Sequence, residues 1–82
     1  MQRYAVQVAT YRDEREATET LTSLLDAGYE GTLLTSDRDG ALIFTIQIGP
    51  FDDLWEADRT AQTLDSAYGY QSSVTVLREV TP

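Results

Sequence analysis

Two chemically versatile side chains are missing from this 82-residue sequence, which contains no cysteine and no histidine. Without cysteine, the chain has no disulfide, no thiol nucleophile and no thiolate ligand for a metal. Without histidine, it lacks the commonest general base of enzymes and the commonest nitrogen ligand of zinc. These absences argue against catalysis and metal binding, and we expect no cofactor.

Basic residues are scarce as well. Lysine is absent, the six basic residues are all arginine, and the net charge is -8. The arginines are scattered along the chain, whereas proteins that bind a phosphate backbone carry a clustered basic patch. We therefore expect no nucleic acid among the partners of this protein.

Long apolar runs are missing too. The longest, residues 41–44, is far shorter than the ~20 apolar residues of a membrane-spanning helix, so we expect no membrane contact by this domain. The first residues do not resemble a signal peptide, which leaves a cytoplasmic protein or a piece excised from a longer one. Since 41% of the residues are hydrophobic, we expect one domain over 1–82, with its core at about 4–78.

What the sequence does contain is an internal repeat. Residues 4–27 align with residues 44–67, and seven of the 24 aligned positions are identical. Aromatic residues align with aromatic residues, and β-branched residues with β-branched residues. We interpret the chain as two copies of one ~40-residue unit. The identical pairs include Gln7/Gln47, Asp13/Asp53, Glu16/Glu56, Ala17/Ala57 and Leu24/Leu64.

Each unit is predicted to fold as strand, helix, strand. Large apolar residues recur at every second position over residues 4–9 and 42–48, which is the period of a half-buried strand. Asp13 and Asp53 each precede a glutamate by three residues, as in a capping box at a helix start. The predicted apolar helix stripes are Ala17, Leu21, Leu24 and Leu25 in the first helix, and Leu54, Ala57, Ala61, Leu64 and Tyr68 in the second.

Two shorter strands, at 31–36 and 72–78, complete the order βαββαβ. Right-handed crossovers then favour an α+β fold of the ferredoxin-like (RNP-like) kind. The predicted architecture is a four-stranded antiparallel sheet in the strand order 4-1-3-2, with both helices on one face.

Two helices on one face leave the opposite, open face of the sheet uncovered. We expect the first and third strands to be central neighbours running parallel, with Gln7 and Gln47 side by side. An amide pair on a flat surface can donate to and accept from sugar hydroxyls and acetamido groups. The residues expected on the open face are Ala5, Gln7, Ala9, Ile43, Thr45, Gln47, Thr75 and Leu77.

Other candidate motifs favour structural roles. Asp37, Asp39 and Gly40 resemble the start of a calcium loop, but the third acidic ligand and the distal glutamate are missing, so we predict a β-turn. Trp55 lies opposite the apolar stripe of its helix and is expected to pack over the helix end. No carboxylate falls on a predicted sheet-face position, and we find no nucleophile–base pair. We therefore predict no catalytic residue, no metal site and no enzyme activity.

Two motifs resemble those of a known family. Residues 6–11, VQVATY, resemble the V-Q-V-G-S-F opening of SPOR domains. Residues 46–51, IQIGPF, followed by Glu56 and Ala57, resemble the second-half motif V-x-V-G-P-F-x(4)-E-A of the same family. The doubled motif occurs in the family's order and extends the resemblance over nearly the whole chain.

The resemblance implies non-catalytic binding of bacterial peptidoglycan through the open face of the sheet. SPOR domains bind glycan strands stripped of stem peptides, which accumulate at division septa. The family's first-strand glutamine falls on Gln7, and its small hydroxyl residue falls on Thr10. Ala9 stands in place of a family glycine, and Thr45 stands where the family often has arginine. The predicted glycan-binding residues are Gln7, Thr10, Gln47, Thr45 and Ile43.

The same resemblance implies a location in the periplasm or cell envelope, with peptidoglycan glycan strands as the partner of a monomeric domain. The residues themselves leave a second function open: a ferredoxin-like protein-protein interaction or dimerisation module using the same sheet face. An RNA-recognition domain shares the topology but places aromatic residues on the central strands. The predicted positions here hold Gln7, Ala9, Thr45 and Gln47.

Overall fold

The computed structural model describes residues 2–77 of the chain. The elements follow the predicted order of strand, helix, strand, strand, helix and strand. The predicted end of the last strand, at Arg78, lies outside the described residues. The elements are β1 Arg3–Tyr11, α1 Glu14–Asp26, β2 Gly31–Arg38, β3 Ala41–Phe51, α2 Leu54–Tyr68 and β4 Ser73–Leu77.

The strands form one four-stranded antiparallel sheet in the order β2-β3-β1-β4, which confirms the predicted α+β architecture. The expectation that β1 and β3 run parallel is wrong, because they pair antiparallel. The connections give the reason. The crossover through α1 makes β1 parallel to β2, and the hairpin after β2 reverses the chain. β3 therefore enters the space between β1 and β2 in the opposite direction.

A two-residue turn joins β2 to β3. Arg38 and Ala41 form the last pair of the hairpin, and Asp39 and Gly40 between them have φ angles of 53° and 83°. A type I′ turn needs positive φ at both central residues, and Asp-Gly adopts this conformation readily. The Asp37 carboxylate accepts a hydrogen bond from the Gly40 amide at 3.0 Å. Residues 37–40 thus form the predicted turn.

Both helices begin at the predicted aspartate caps. The Asp13 carboxylate accepts a hydrogen bond from the Arg15 amide, and the Asp53 carboxylate accepts one from the Trp55 amide, each at 2.9 Å. The bonded amide belongs to the second helical residue, whereas a capping box uses the third. Each cap satisfies one otherwise free backbone N–H group and contributes about 1 kcal/mol.

The core lies between the two helices and one face of the sheet. Leu24 of α1 and Leu64 of α2 are fully buried, and both belong to the cluster that contains Val6, Ile46 and Ile48 of the central strands. Both helices therefore cover the same face, as predicted. Burying each large aliphatic side chain stabilises the fold by about 1.5–3 kcal/mol.

The buried helix stripes are narrower than the sequence predicts. Leu25 of α1 is 45% exposed, although Leu24 beside it is buried. Leu54 and Tyr68, at the two ends of α2, are also about half exposed. A straight helix lying on a sheet buries only its innermost positions, because each successive residue turns by about 100°. The predicted members Leu25, Leu54 and Tyr68 are therefore corrected to surface positions.

Candidate functional site

The face of the sheet opposite the helices is the candidate site, and it is called the open face below. Residues paired directly across an antiparallel ladder point to the same side of the sheet. The strand register therefore identifies the members of this face. They are Arg3, Ala5, Gln7 and Thr10 in β1, Thr32, Leu34, Ser36 and Arg38 in β2, Ala41, Ile43, Thr45 and Gln47 in β3, and Ser73, Thr75 and Leu77 in β4.

A β-bulge interrupts the middle of β1. Gln7 pairs with Gln47, but the next pair along the ladder is Ala9 with Ile46. Val8 is the additional residue between these pairs, and its side chain is buried in the core. A bulge of this kind bends the strand and shifts its alternation by one position.

The bulge determines which side chains reach the open face. From Gln7, strict alternation would turn Thr10 towards the helices. Because the bulge absorbs one residue, Thr10 instead pairs with Thr45 and shares the face of Gln7 and Gln47. Two polar pairs, one of amides and one of hydroxyls, therefore lie next to each other on the two central strands.

All five residues predicted to contact glycan lie on the open face. Gln7 pairs with Gln47, Thr10 pairs with Thr45, and Ile43 lies one same-face position further along β3. Gln7 and Thr10 are exposed, whereas the three β3 residues are half-buried. The structure brings these residues together, and their role in binding stays a prediction.

Two other residues expected on this face do not contribute to its surface. Ala9 pairs with Ile46 and packs against the core, so the expectation for it is wrong. The error arises because unbroken alternation does not anticipate the bulge. Ala5 does occupy an open-face position, opposite Thr75, yet it is 0% exposed because its methyl group is too short to reach past its neighbours.

Four polar residues on the edge strands were missed by the sequence reasoning, namely Thr32, Ser36, Arg38 and Ser73. Two of them lie beside the central glutamines. Thr32 of β2 pairs with Gln47, and Ser73 of β4 pairs with Gln7. Both side chains are exposed. A signal for Thr32 is present in the sequence: the Asp-Gly turn fixes a two-residue hairpin, and counting back from it in twos assigns the faces of β2.

Charge is distributed unevenly between the two sides of the sheet. No aspartate or glutamate lies on the described open face, although the protein has a net charge of -8. The two arginines of this face lie at its periphery. Arg38 lies beside the hairpin turn, and the Arg3 Nε lies 3.5 Å from Oδ1 of Asp52, which follows β3. The centre of the open face is therefore polar and uncharged.

The helix side carries shallow depressions, one of which is lined by Tyr29, Trp55, Glu56 and Arg59. Trp55 is 74% exposed, so the expectation that it packs over a helix end is wrong. Trp55 precedes the buried Ala57 by two residues, a rotation of about 200° around α2, so its side chain projects away from the sheet. Within residues 2–77, no group of three or more acidic side chains is placed to hold a metal ion.

Neither helix in the described part of the chain combines the length and the apolar composition needed to cross a membrane.

A two-layer α+β fold with one uncovered polar sheet face defines a small ferredoxin-like domain. The family model of the SPOR domain matches residues 1–76. This match extends over nearly the entire sequence, and the chain belongs to the SPOR domain family. No curated protein matches the chain.

Two solved structures share the fold. The chain is similar to the SPOR domain of RlpA from Pseudomonas aeruginosa, with a TM-score of 0.74 and 20% identity, covering 93% of this chain and 99% of that one. It is also similar to the peptidoglycan binding domain of the B. subtilis cell wall lytic enzyme CwlC, with a TM-score of 0.71 and 22% identity, covering 95% and 92%. At these identities the likeness establishes the fold.

Proposed function

We propose that this domain binds the glycan strands of bacterial peptidoglycan, without catalysing a reaction, through the open face of its sheet. The observation that carries the proposal is the grouping of Gln7, Gln47, Thr10 and Thr45 on one uncovered face of a SPOR domain. The peptidoglycan-binding domain of CwlC, which shares the fold, supports the same ligand.

The chemistry of the open face suits a sugar polymer. Each glutamine amide offers two donors and an acceptor, and each threonine hydroxyl offers one donor and two acceptors. Sugar hydroxyls and acetamido groups are complementary to both. Half-buried Ile43 and partly exposed Leu34 add apolar surface for the C–H faces of sugar rings. A sheet face uncovered across all four strands accommodates a chain that extends beyond the protein at both ends.

The finer features of the proposal follow from the family resemblance. The ligand is glycan stripped of stem peptides, as found at division septa, and the domain acts in the cell envelope. Stem peptides would crowd an approach to a flat sheet, which gives a physical reason for a preference for stripped strands. The domain itself acts as a monomer that touches neither nucleic acid nor the membrane.

Co-sedimentation with purified sacculi tests the proposal. We expect the domain to sediment with sacculi, and to do so more strongly after an amidase has removed the stem peptides. Gln7→Ala should reduce the bound fraction in both cases. Gln62→Ala is the matched control, because Gln62 is an exposed glutamine on α2 that bonds to Asp58 on the same helix.

Equal binding to untreated and amidase-treated sacculi contradicts the preference for stripped strands. Binding to neither preparation contradicts the glycan function itself. The second function, a protein-protein or dimerisation module using the open face, predicts self-association, which sedimentation velocity detects. We expect the domain to sediment as a monomer.

A further inference from the structure

Four polar side chains form a row across the whole width of the sheet. Thr32 pairs with Gln47, Gln47 pairs with Gln7, and Gln7 pairs with Ser73, so the row passes through β2, β3, β1 and β4 in turn. Neighbouring strands lie about 4.8 Å apart, so the row is about 14 Å long and runs perpendicular to the strands. A hydroxyl stands at each end and two amides stand in the middle.

The hydrogen-bonding groups of this row are available to a ligand. Thr32, Gln7 and Ser73 are exposed, and Gln47 is half-buried. None of the four side chains forms a hydrogen bond with another group of residues 2–77. Among residues 2–77, the adjacent row contains Leu34, Thr45 and Thr10. It is apolar at one end and stops at β1, because the described pairs of β4 reach only as far as Gln7.

The charged residues on the strands of the open face are remote from the row. Glu30 precedes β2 and lines a depression with Glu56 and Thr60 of α2, on the helix side. No carboxylate lies on the described open face, and Arg38 lies six residues along β2 from Thr32, a distance of about 20 Å. Arg3, four residues from Gln7 in β1, lies close to a carboxylate of Asp52. The row therefore presents dipolar hydrogen-bonding groups without a charge to attract an anion.

We propose that the row Thr32, Gln47, Gln7 and Ser73 binds the uncharged groups of the sugar chain, with the chain lying across the strands. This inference rests on the proposed glycan-binding function. It specifies the ligand as a β-linked polymer of N-acetylated hexosamines, recognised through its hydroxyl and acetamido groups. The carboxylates of peptidoglycan contribute little to the affinity. Thr32 and Ser73 are glycan-contacting residues on the edge strands.

Two measurements distinguish recognition of neutral groups from ionic recognition: the salt dependence of the affinity, and the binding of an uncharged ligand. Exposed ion pairs are screened over about 10 Å at 0.1 M salt and over about 3 Å at 1 M salt. Hydrogen bonds between uncharged groups lack that dependence. Chitohexaose is a suitable probe, because it has the β-linked N-acetylglucosamine backbone and no carboxylate.

The experiment is calorimetric titration of the domain with chitohexaose and with amidase-released glycan strands, each at low and high salt. We expect both ligands to bind, with affinities per bound site that change by less than about threefold between roughly 0.05 and 0.5 M salt. Thr32→Ala and Ser73→Ala should each weaken both ligands by roughly 2- to 10-fold. Thr35→Ala is the control, because Thr35 is exposed on the same strand but pairs with Phe44 on the helix side.

Three results overturn the inference. If released glycan binds but chitohexaose does not, or if high salt abolishes binding, a charged group dominates recognition while the proposed function stands. If Thr32→Ala and Ser73→Ala bind like the unmodified domain, the row does not contact the sugar. If neither ligand binds, the glycan function fails and this inference fails with it.

Discussion

Thr45 and Ile46 are neighbours in β3 that serve opposite faces of one sheet. Ile46 is 0% exposed and packs in the core under both helices, whereas Thr45 pairs with Thr10 on the open face. On the helix side, volume and shape select the residues, because the contacts are apolar and closely packed. On the open face, hydrogen-bonding capacity distinguishes the residues. We therefore expect substitutions on the helix side to lower stability, and substitutions on the open face to weaken ligand binding.

The largest effect should come from the helix side. We expect Ile46→Ala to lower the free energy of unfolding by about 2–5 kcal/mol, because it leaves a cavity in the core. Thr45→Ala, one residue away, should lower it by no more than about 1 kcal/mol, the range of strand propensities. Urea denaturation of both variants measures the difference. Equal losses would show that the open face is packed as tightly as the core.

The backbone of β3 provides the next largest effect. Gly49 has a φ of 132°, and an added Cβ would lie 3.2 Å from the Tyr4 carbonyl oxygen. We expect Gly49→Ala to destabilise the domain by about 1–3 kcal/mol through backbone strain and crowding. Gly40→Ala, in the hairpin turn, is the control with open space around it. Both glycines have positive φ, so a loss in the control that equals or exceeds the loss at Gly49 would contradict crowding as a cause.

Substitution of the central amides should affect binding and spare the fold. We expect Gln7→Ala to leave the thermal midpoint nearly unchanged and to weaken glycan binding by about 0.5–1.5 kcal/mol. Gln47→Ala should have a smaller effect, since Gln47 is already half-buried. Thermal melts and sacculus binding of the same samples give both values. A variant that melts far earlier would show that Gln7 is packed, against the assigned face.

The smallest effect concerns pH. Burial raises the pKa of Tyr70 above its usual value of 10.0, and the neighbouring Tyr11 and Tyr68 add to the shift. Because the folded state then holds this proton more tightly, stability is full below pH 10.0 and falls as the pH rises through the folded pKa. Tyr70→Phe should lose this alkaline decline. The urea midpoints of both proteins, measured on either side of pH 10.0, test this prediction. If Tyr70→Phe loses as much stability with rising pH as the unmodified protein, a group other than Tyr70 causes the decline.

The sequence alone predicts the architecture well because it depends on periodicity and end signals. The sequence signals are local: alternation in β1 and β3, the aspartate caps and the Asp-Gly turn. Each one correctly predicted its own element, because it does not depend on distant contacts. Strand direction was harder, because it depends on how the hairpin inserts β3 beside β1. Too many helix residues were predicted to be buried, because burial also depends on how each helix lies on the sheet. Leu25 is apolar but is turned away from the sheet.

The candidate site was predictable only in part. Alternation places Gln7 and Gln47 on the open face, but it also places Ala9 there and excludes Thr10. The resemblance to SPOR domains supplied Thr10, and the bulge at Val8 explains how this residue shares the face of Gln7. A bulge depends on one extra residue in the ladder, and the alternating pattern of β1 gives no local sign of it. The face of Thr32 could have been assigned by counting back from the Asp-Gly turn, whereas Ser73 needed the register of β4.

The most direct test of the account is a two-dimensional NMR titration of the labelled domain with amidase-released glycan strands. We predict that the largest shifts belong to open-face residues, including the backbone amides of Gln7, Thr10, Thr45 and Gln47 and the side-chain amides of the two glutamines. Amides of α1 and α2 should change little. Shifts centred on exposed Trp55 and the helix side would contradict the assignment of binding to the open face.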